Sequence, residues 1–211
     1  MKFLITGFDP FGGETVNPAW EAVKSLPDTL NGAEIVRIQV PTVFVRSGAV
    51  LEEAVRWEKP DVVLCVGQAG GRTALTVERI AVNLMNAPIP DNDGHTPQDE
   101  PVIFGGPDGI FATVPVRAMT EAARKAGIPA ELSYSAGTYV CNCLMYRALY
   151  LAKEFPGMRA GFVHAPFIPS QVVNKPGRPS MALTDIIDGL KAMIFAITAG
   201  EESGRAEGCI C

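Results

Sequence analysis

One short run limits the fold of this chain more than any other feature. Residues 61–66 read Asp-Val-Val-Leu-Cys-Val and are apolar at every position after the first. A strand that is buried on both faces needs this pattern, and such strands occur in parallel sheets that helices cover on both sides. The run therefore predicts an α/β protein built around a largely parallel sheet.

Short β-rich runs and helical patterns alternate along the sequence, as such a sheet requires. The predicted strands are 2–7, 34–40, 61–66, 75–83, 130–135 and 161–164. The predicted helices are 46–58, 116–126, 140–152 and 181–197. We find no internal repeat and no dividing linker, so we predict one domain over 1–211. Its predicted form is a three-layer α/β/α arrangement around a twisted, largely parallel mixed sheet.

Two segments interrupt this alternation. Residues 86–115 are rich in proline, glycine, aspartate and asparagine, which predicts a long loop, and long loops inside compact domains are usually functional or mobile. Residues from about 199 onward are polar and contain glycine, which predicts a frayed tail.

Charge and composition exclude several classes of protein. The net charge is -5 and no basic stripe is visible, which argues against a nucleic-acid binder. The apolar run 3–5 is too short for a signal peptide, and no stretch of about 18 apolar residues indicates a membrane span. Five cysteines without disulfide-framework spacing fit a reducing compartment. We therefore expect a cytoplasmic protein.

The two histidines have different surroundings. His95 lies in the turn-rich segment Asp-Asn-Asp-Gly-His-Thr-Pro, which is typical of a solvated loop. His164 ends an apolar run and precedes Ala-Pro-Phe-Ile-Pro, at the carboxyl end of a predicted strand. Open α/β sheets bind ligands at that edge, although a structural histidine would show the same pattern. Position alone leaves both interpretations of His164 open.

Cys141 follows a predicted strand and a tight turn at 136–138, and it begins a predicted helix. The unpaired N–H groups and the dipole of a helix N-terminus favour the thiolate, which is the reactive form of cysteine. Most free cysteines are instead small buried hydrophobic residues, so this residue alone is compatible with either role. Cys65 and Cys143 fit the core. Cys209-Ile-Cys211 lacks the partners of a structural zinc site, so we expect no metal.

Glu78 lies in a run of strand character, where a carboxylate must face solvent or find a partner. Arg79 would point to the opposite face of the strand. A buried Glu78 that accepts a hydrogen bond from His164 would fix the imidazole tautomer, the third role in a nucleophile–base–orienter set. An exposed edge strand is the alternative.

Two glycine-rich loops, 7–13 and 67–72, follow predicted strands. Neither matches a P-loop or a dinucleotide-binding fingerprint. Both bring free N–H groups to strand carboxyl ends, which suits anion or oxyanion recognition. Phe8 and Phe11 lie in the first loop, where they fit either a structural anchor or a ligand-stacking role.

Three motifs occur in order: 70–83 around Glu78, 132–142 around Cys141 and 162–169 around His164. Together with Gly-Phe-Asp-Pro-Phe-Gly-Gly-Glu at the start of the chain, they resemble the pyroglutamyl peptidase I family of cysteine peptidases, also called pyrrolidone-carboxylate peptidases. The similarity extends nearly from end to end, to the final predicted helix.

The resemblance implies an enzyme without a cofactor that removes N-terminal pyroglutamate from small peptides. It implies Cys141 as nucleophile, His164 as base and Glu78 as the residue that orients His164. It also implies a homo-oligomer, with a tetramer expected. The implied substrate-binding residues are Phe8, Phe11, Asn17, Gln68, Ile89 and Val140.

One segment departs from the family pattern. Members usually read Asp-Ala-Arg-Ile-Pro-Asp-Asn where this chain has Asn86-Ala-Pro88-Ile-Pro-Asp-Asn. Any help that the arginine gives to transition-state charge must therefore be absent or come from elsewhere.

Two alternatives stay open at this point. A nucleoside phosphorylase-like enzyme would need a phosphate cluster of Arg or His, for which Arg72 alone is well placed. A non-catalytic relative would bind pyroglutamyl peptides without turnover.

Overall fold

The computed structural model describes residues 1–200 of the chain. Within this range the strands are β1 (Lys2–Phe8), β2 (Thr29–Leu30), β3 (Ala33–Val40), β4 (Val62–Gln68), β5 (Leu75–Glu78), β6 (Ile80–Val82), β7 (Gly109–Phe111), β8 (Ala130–Ser133) and β9 (Arg159–Ala165). The helices are α1 (Pro18–Lys24), α2 (Phe44–Glu58), α3 (Val116–Lys125), α4 (Val140–Leu151), α5 (Pro169–Val172) and α6 (Leu183–Ala199).

Seven strands form the main sheet in the order β2-β3-β1-β4-β9-β5-β8. The four strands β3, β1, β4 and β9 are parallel, whereas β5 runs antiparallel to β9 and parallel to β8. Helices α1, α3 and α6 pack together on one face, and α2 packs with α4 on the other. The predicted three-layer α/β/α fold with a largely parallel mixed sheet is confirmed.

The burial of the central elements follows from this layering. Every residue of β4 is buried because helices cover both of its faces, as the apolar run predicted. Helix α4 is buried almost all round because it lies between the main sheet and the two-stranded sheet of β6 and β7. Helix α6 buries the stripe Ile186, Leu190, Met193 and Ile197 at helical spacing.

The predicted strand 75–83 is wrong in its continuity. It divides at Arg79, whose N–H donates to the Ser133 carbonyl oxygen at 2.7 Å, and the chain then leaves the main sheet. Strand β6 pairs with β7 in a separate two-stranded sheet, so the predicted loop 86–115 also contains a short strand. An apolar run alone does not show where a chain passes from one sheet to another.

Several short elements were not predicted. Helix α1 begins where the Asn17 side chain accepts a hydrogen bond from the Ala19 N–H and Pro18 occupies the first turn. The short strand β2 and the one-turn helix α5 carry too few residues for a periodic pattern. The predicted frayed tail overlaps the end of α6 at 199–200, and its remainder, with Cys209 and Cys211, lies outside the described residues.

None of the helices within residues 1–200 combines the length and apolar character that crossing a bilayer would require.

Candidate active site

The parallel strands β1, β4 and β9 end at one edge of the sheet, and the candidate residues gather there. Gly67 of β4 pairs with His164 of β9, so the glycine-rich loop 67–72 begins beside the histidine. Strand β5 runs antiparallel on the other side of β9, where Thr76 pairs with His164 and Glu78 pairs with Phe162. The loop after β4 and the strand β5 that carries Glu78 therefore both lie next to β9, although these segments are far from β9 in sequence.

Glu78 and His164 form a buried pair. The His164 Nδ1 atom lies 2.7 Å from Glu78 Oε1, and the two side chains are 4% and 0% exposed. Glu78 Oε1 also accepts a hydrogen bond from Arg72 Nη1 at 2.6 Å. Because an ionised carboxylate can only accept, the His164 ring donates through Nδ1–H and keeps Nε2 as its proton acceptor.

The environment lowers the pKa of both partners. Burial alone raises the pKa of Glu78, but the hydrogen bond and charge of His164, the nearby Ser133 hydroxyl and the Arg72 charge outweigh it, and the pKa falls below its usual value. Burial lowers the pKa of His164 against the opposing effect of Glu78, and Arg72 lowers it further. The pair is therefore a carboxylate and a neutral imidazole near pH 7.

Cys141 lies in the first turn of α4 and is half-buried. A Cβ atom placed on Gly67 would lie 2.8 Å from the Cys141 sulfur and 2.7 Å from the Phe162 ring. Position 67 pairs with His164 in the sheet, and only a glycine there lets the Cys141 sulfur approach the end of β4 this closely. Within residues 1–200, no hydrogen bond joins the sulfur to the His164 ring.

The surroundings of Cys141 oppose the thiolate that its place at a helix N-terminus favours. Burial, and then the charge of Glu78, raise the pKa of the Cys141 thiol to about 12. The charge of Arg72 and the backbone N–H of Cys141 oppose this rise but do not overcome it. The resting pair is therefore a thiol and a neutral imidazole, so the sulfur must lose its proton as it reacts.

The start of α4 offers hydrogen-bond donors next to the sulfur. Tyr139 is the N-cap residue and makes no side-chain cap, and the first N–H that bonds back to its carbonyl is that of Cys143. The N–H groups of Val140, Cys141 and Asn142 thus have no helical partner. Free N–H groups at a helix N-terminus can stabilise a developing oxyanion.

The two phenylalanines of the first loop have different environments. Phe8 is the last residue of β1 and is 1% exposed, with its ring centroid 6.5 Å from that of Phe162. Phe11 is only partly buried and lies 6.0 Å from the Tyr139 ring. Phe8 therefore does not lie at a loop tip but anchors the end of β1, while Phe11 lies beside Tyr139 at the start of α4.

The other two apolar candidates also lie near this helix. Val140 is fully buried and directly precedes Cys141. Ile89 is 42% exposed, and a Cβ atom placed on Gly12 would lie 3.9 Å from its Cδ1 atom. The Tyr139 hydroxyl donates to the Pro90 carbonyl oxygen at 2.9 Å, which fixes the segment that carries Ile89 against the start of α4.

The side-chain amides of Asn17 and Gln68 differ in how many of their hydrogen-bonding groups are occupied. Asn17 caps α1 through Oδ1 and donates through Nδ2 to the Asp9 carbonyl oxygen at 3.0 Å, so its amide holds the first loop in place. Gln68 Oε1 accepts from Gln171 Nε2 at 2.9 Å. The Gln68 Nε2 group makes no hydrogen bond within the part of the chain that the structure describes, so it remains available as a donor to a ligand.

Pro88 and Asn86 lie at the outer side of the site. Pro88 is exposed and brings no charge. The Asn86 N–H donates to the Thr138 carbonyl oxygen at 3.0 Å, and the Thr138 hydroxyl donates back to the Asn86 carbonyl oxygen at 2.7 Å. This segment is therefore tied to the turn that precedes Cys141.

Two contributors were missed as site residues by the sequence analysis. Arg72 was considered only as a possible phosphate ligand, although its position six residues before Glu78 could have suggested a pair. Gln171 is buried, and its Nε2 group donates to the side chains of both Gln68 and Glu14. Glu14 lies 157 residues before Gln171 in the sequence. No sequence pattern indicates a contact of that range.

A model of the family described as Pyroglutamyl peptidase matches residues 1–200. The chain belongs to this family. It is 53% identical over 205 residues to a pyrrolidone-carboxylate peptidase of Lactobacillus johnsonii, covering 97% of this chain and 95% of that one. A pyrrolidone-carboxylate peptidase of Streptococcus suis is 55% identical over 198 residues, covering 93% and 92%.

Solved structures of pyroglutamyl peptidases share the fold. Pyroglutamyl peptidase I from Bacillus amyloliquefaciens has a TM-score of 0.94 at 47% identity, covering 98% of this chain and 99% of that one. Pyrrolidone carboxyl peptidase from Thermococcus litoralis has a TM-score of 0.92 at 38% identity, covering 98% and 99%. The predicted family is thus confirmed, and the two alternatives, phosphorylase-like enzyme and non-catalytic binder, find no support.

Proposed function

We propose that this chain hydrolyses the bond after an N-terminal pyroglutamyl residue of small peptides, with Cys141 as nucleophile, His164 as base and Glu78 as orienter. The observation that carries the assignment is the buried His164–Glu78 pair at 2.7 Å. Gly67, which pairs with His164 in the sheet, leaves room for the Cys141 sulfur next to this pair. Membership of the pyroglutamyl peptidase family supports the substrate class.

The reaction begins with a neutral pair. As the Cys141 sulfur attacks the pyroglutamyl carbonyl carbon, its proton passes to His164 Nε2, and Glu78 stabilises the imidazolium that forms. The carbonyl oxygen becomes an oxyanion, which the free N–H groups at the start of α4 stabilise. His164 then protonates the leaving amine as the C–N bond breaks, and a thioester remains on Cys141.

Water completes the cycle. His164 Nε2 takes a proton from a water molecule, whose oxygen attacks the thioester carbonyl carbon. The C–S bond breaks, the Cys141 sulfur recovers its proton, and free pyroglutamate leaves. No step in this scheme needs a cofactor or a metal ion.

Selection of pyroglutamate follows from the character of the pocket. The pyroglutamyl ring is a flat, uncharged lactam, so apolar side chains and a few polar groups recognise it better than an ion pair would. We assign the apolar walls to Phe8, Phe11, Ile89 and Val140. The free Gln68 amide is a donor for the lactam carbonyl, while Asn17 supports the loop.

Release of a chromophore from a pyroglutamyl-arylamide under reducing conditions tests this function, with the prolyl-arylamide as the matched substrate. The two differ in the lactam carbonyl, whose loss leaves a donor in the pocket unpaired and adds a charged amine. We expect turnover of the first and at least a thousandfold lower kcat/KM for the second. Equal turnover of both, or of neither, would contradict the proposal.

We also propose that the chain works in the cytoplasm as a homo-oligomer, with a tetramer as the expected form. The large side chain of Trp57 on α2 is 83% exposed, which supports an interface at that helix because tryptophan is enriched at interfaces. Light scattering coupled to gel filtration measures the mass directly, and a monomeric mass would contradict the assembly.

A further inference from the structure

Arg72 is the feature of the site that the proposed chemistry leaves unexplained. Its guanidinium hydrogen-bonds to Thr76, Glu78 and the Ser135 carbonyl oxygen, and the scheme gives it no step. Nη1 donates to the same Glu78 oxygen that receives His164 Nδ1, at 2.6 Å and 2.7 Å respectively. The second Glu78 oxygen is buried and has no hydrogen-bond partner within residues 1–200.

The negative charge of Glu78 needs a positive charge close to it. Glu78 is fully buried, and a buried carboxylate needs a compensating positive charge. If His164 were its sole partner, the imidazole would have to be protonated to supply that charge. A protonated His164 has no lone pair left for the Cys141 proton and cannot act as a base.

We infer that Arg72 is a positioning residue that supplies the permanent counter-charge of Glu78, so that His164 stays neutral and able to accept the Cys141 proton. Arg72 acts through Glu78 and does not contact the reacting atoms. This inference rests on the proposed function for its catalytic consequence, but the protonation state it assigns to His164 can be measured without activity.

The guanidinium is held in place from several sides. Nη1 also donates to the Thr76 hydroxyl on β5, and Nη2 lies 3.4 Å from the Ser135 carbonyl oxygen in the turn that leads to Cys141. The Arg72 N–H donates to the Ala69 carbonyl oxygen at 3.3 Å, which closes the loop after β4. Arg72 thus connects the glycine-rich loop, the Glu78 strand and the nucleophile turn.

The local sequence explains how this loop reaches Glu78. Gly71 has a φ of 97°, a conformation that favours glycine. At Gly70 any side chain would collide with the ring of Phe167, which follows the His164 strand. The two glycines let the backbone pass close to Phe167 after β9, and the loop then places Arg72 next to Thr76 and Glu78 of β5.

The neighbouring segment around Asn86 supplies no cation at Pro88 to this arrangement, because proline carries no charge. Among the lysines and arginines of residues 1–200, Arg72 is the one that hydrogen-bonds to Glu78, His164 or Cys141. The groups that titrate or carry charge around His164 are Glu78 on β5, Arg72 after β4 and Cys141 on α4.

The test uses Arg72→Met, Arg72→Lys and the control Arg79→Met. Arg79 directly follows Glu78 in the sequence, but its guanidinium lies over the Phe111 ring at 4.9 Å, away from the pair. In Arg72→Met we expect kcat/KM for a pyroglutamyl-arylamide to fall about tenfold more at pH 6 than at pH 8, because His164 gains protons more easily. The loss should be in kcat, Arg72→Lys should restore most of it, and Arg79→Met should keep the wild-type pH profile.

A second readout is independent of activity. The chain has two histidines, so ¹⁵N-histidine NMR of a His95→Gln background reports His164 alone. We expect a neutral Nδ1–H ring at pH 7 with Arg72 present, and a substantial imidazolium fraction in Arg72→Met. An unchanged His164 titration in folded Arg72→Met would overturn the inference, even if activity were lost. If Arg72→Met does not fold, Arg72→Gln takes its place.

Absence of turnover in the wild type, combined with the expected NMR shift, would instead count against the proposed function and leave the role of Arg72 intact.

Discussion

Residues 1–200 contain two histidine–glutamate pairs, which differ in distance, burial and surroundings. His164 and Glu78 are 2.7 Å apart with side chains 4% and 0% exposed. His95 Nε2 and Glu100 Oε1 are 3.9 Å apart with side chains 46% and 50% exposed. The first pair lies at the end of β9, and the second lies on the long segment that connects β6 to β7.

Burial is the difference that matters. Water and salt screen the exposed pair of His95 and Glu100, and exposed pairs of this kind contribute about 0–1 kcal/mol to stability. In the buried pair, removal of water strengthens each electrostatic interaction, so that the pKa values of Glu78 and His164 depend on one another and on the Arg72 charge. The same two residue types therefore give a surface contact in one place and a proton-transfer site in the other.

The largest expected effect comes from replacing each histidine in turn. His164→Gln removes the base that accepts the Cys141 proton, so we expect kcat/KM to fall by about 10³-fold or more. His95→Gln should change it less than about twofold, because the half-exposed His95 ring takes no part in the proton transfer. Steady-state kinetics with a pyroglutamyl-arylamide measure both, and similar losses in the two variants would break the comparison.

Replacing each glutamate sharpens the comparison in stability as well as activity. Glu78→Gln leaves Arg72 without its ionic partner and lets His164 turn, so we expect a loss of about 2 kcal/mol in the free energy of unfolding. Activity should fall about 10²-fold or more, since the orienting carboxylate is gone. Glu100→Gln should lie within about 0.5 kcal/mol of the wild type. Urea unfolding compares them, and an equal cost for both would show that burial of Glu78 carries no energetic weight.

The smallest expected effect is a pH dependence. The folded state lowers the pKa of both Glu78 and His164, so the unfolded chain binds more protons as the pH falls. Their contribution to stability is complete above the unfolded histidine value of 6.5 and declines below it, first through His164 and then, under 4.5, through Glu78. Urea unfolding of wild type between pH 8 and pH 4 should therefore show a steeper loss than His164→Gln does. Parallel curves would contradict the assigned shifts.

Local pattern was sufficient for much of the fold and for the position of the candidate residues. The apolar run of β4 indicated a strand covered on both faces, and the ends of the predicted strands located His164 and the two glycine loops. What pattern did not reveal is how segments meet. The turn of the chain at Arg79 and the bond from Gln171 to Gln68 depend on packing between distant segments.

Electrostatics was the other part that sequence did not determine. The place of Cys141 at a helix N-terminus favours a thiolate, but its burial and the nearby Glu78 charge favour the thiol. Arg72 was not recognised as the partner of Glu78, because a turn through two glycines brings the two residues together. Burial and counter-charge are properties of the assembled site, not of a residue and its neighbours in the chain.

The central claim is that Cys141 is the nucleophile, and the chain offers a matched control two residues away. Cys143 is fully buried, and its sulfur donates to the Phe44 carbonyl oxygen at 3.4 Å. Turnover of a pyroglutamyl-arylamide should be compared for wild type, Cys141→Ser and Cys143→Ser, with folding checked by circular dichroism. We expect Cys141→Ser to lose at least about 10³-fold in kcat and Cys143→Ser to stay within about tenfold of the wild type. Full activity in folded Cys141→Ser would contradict the account.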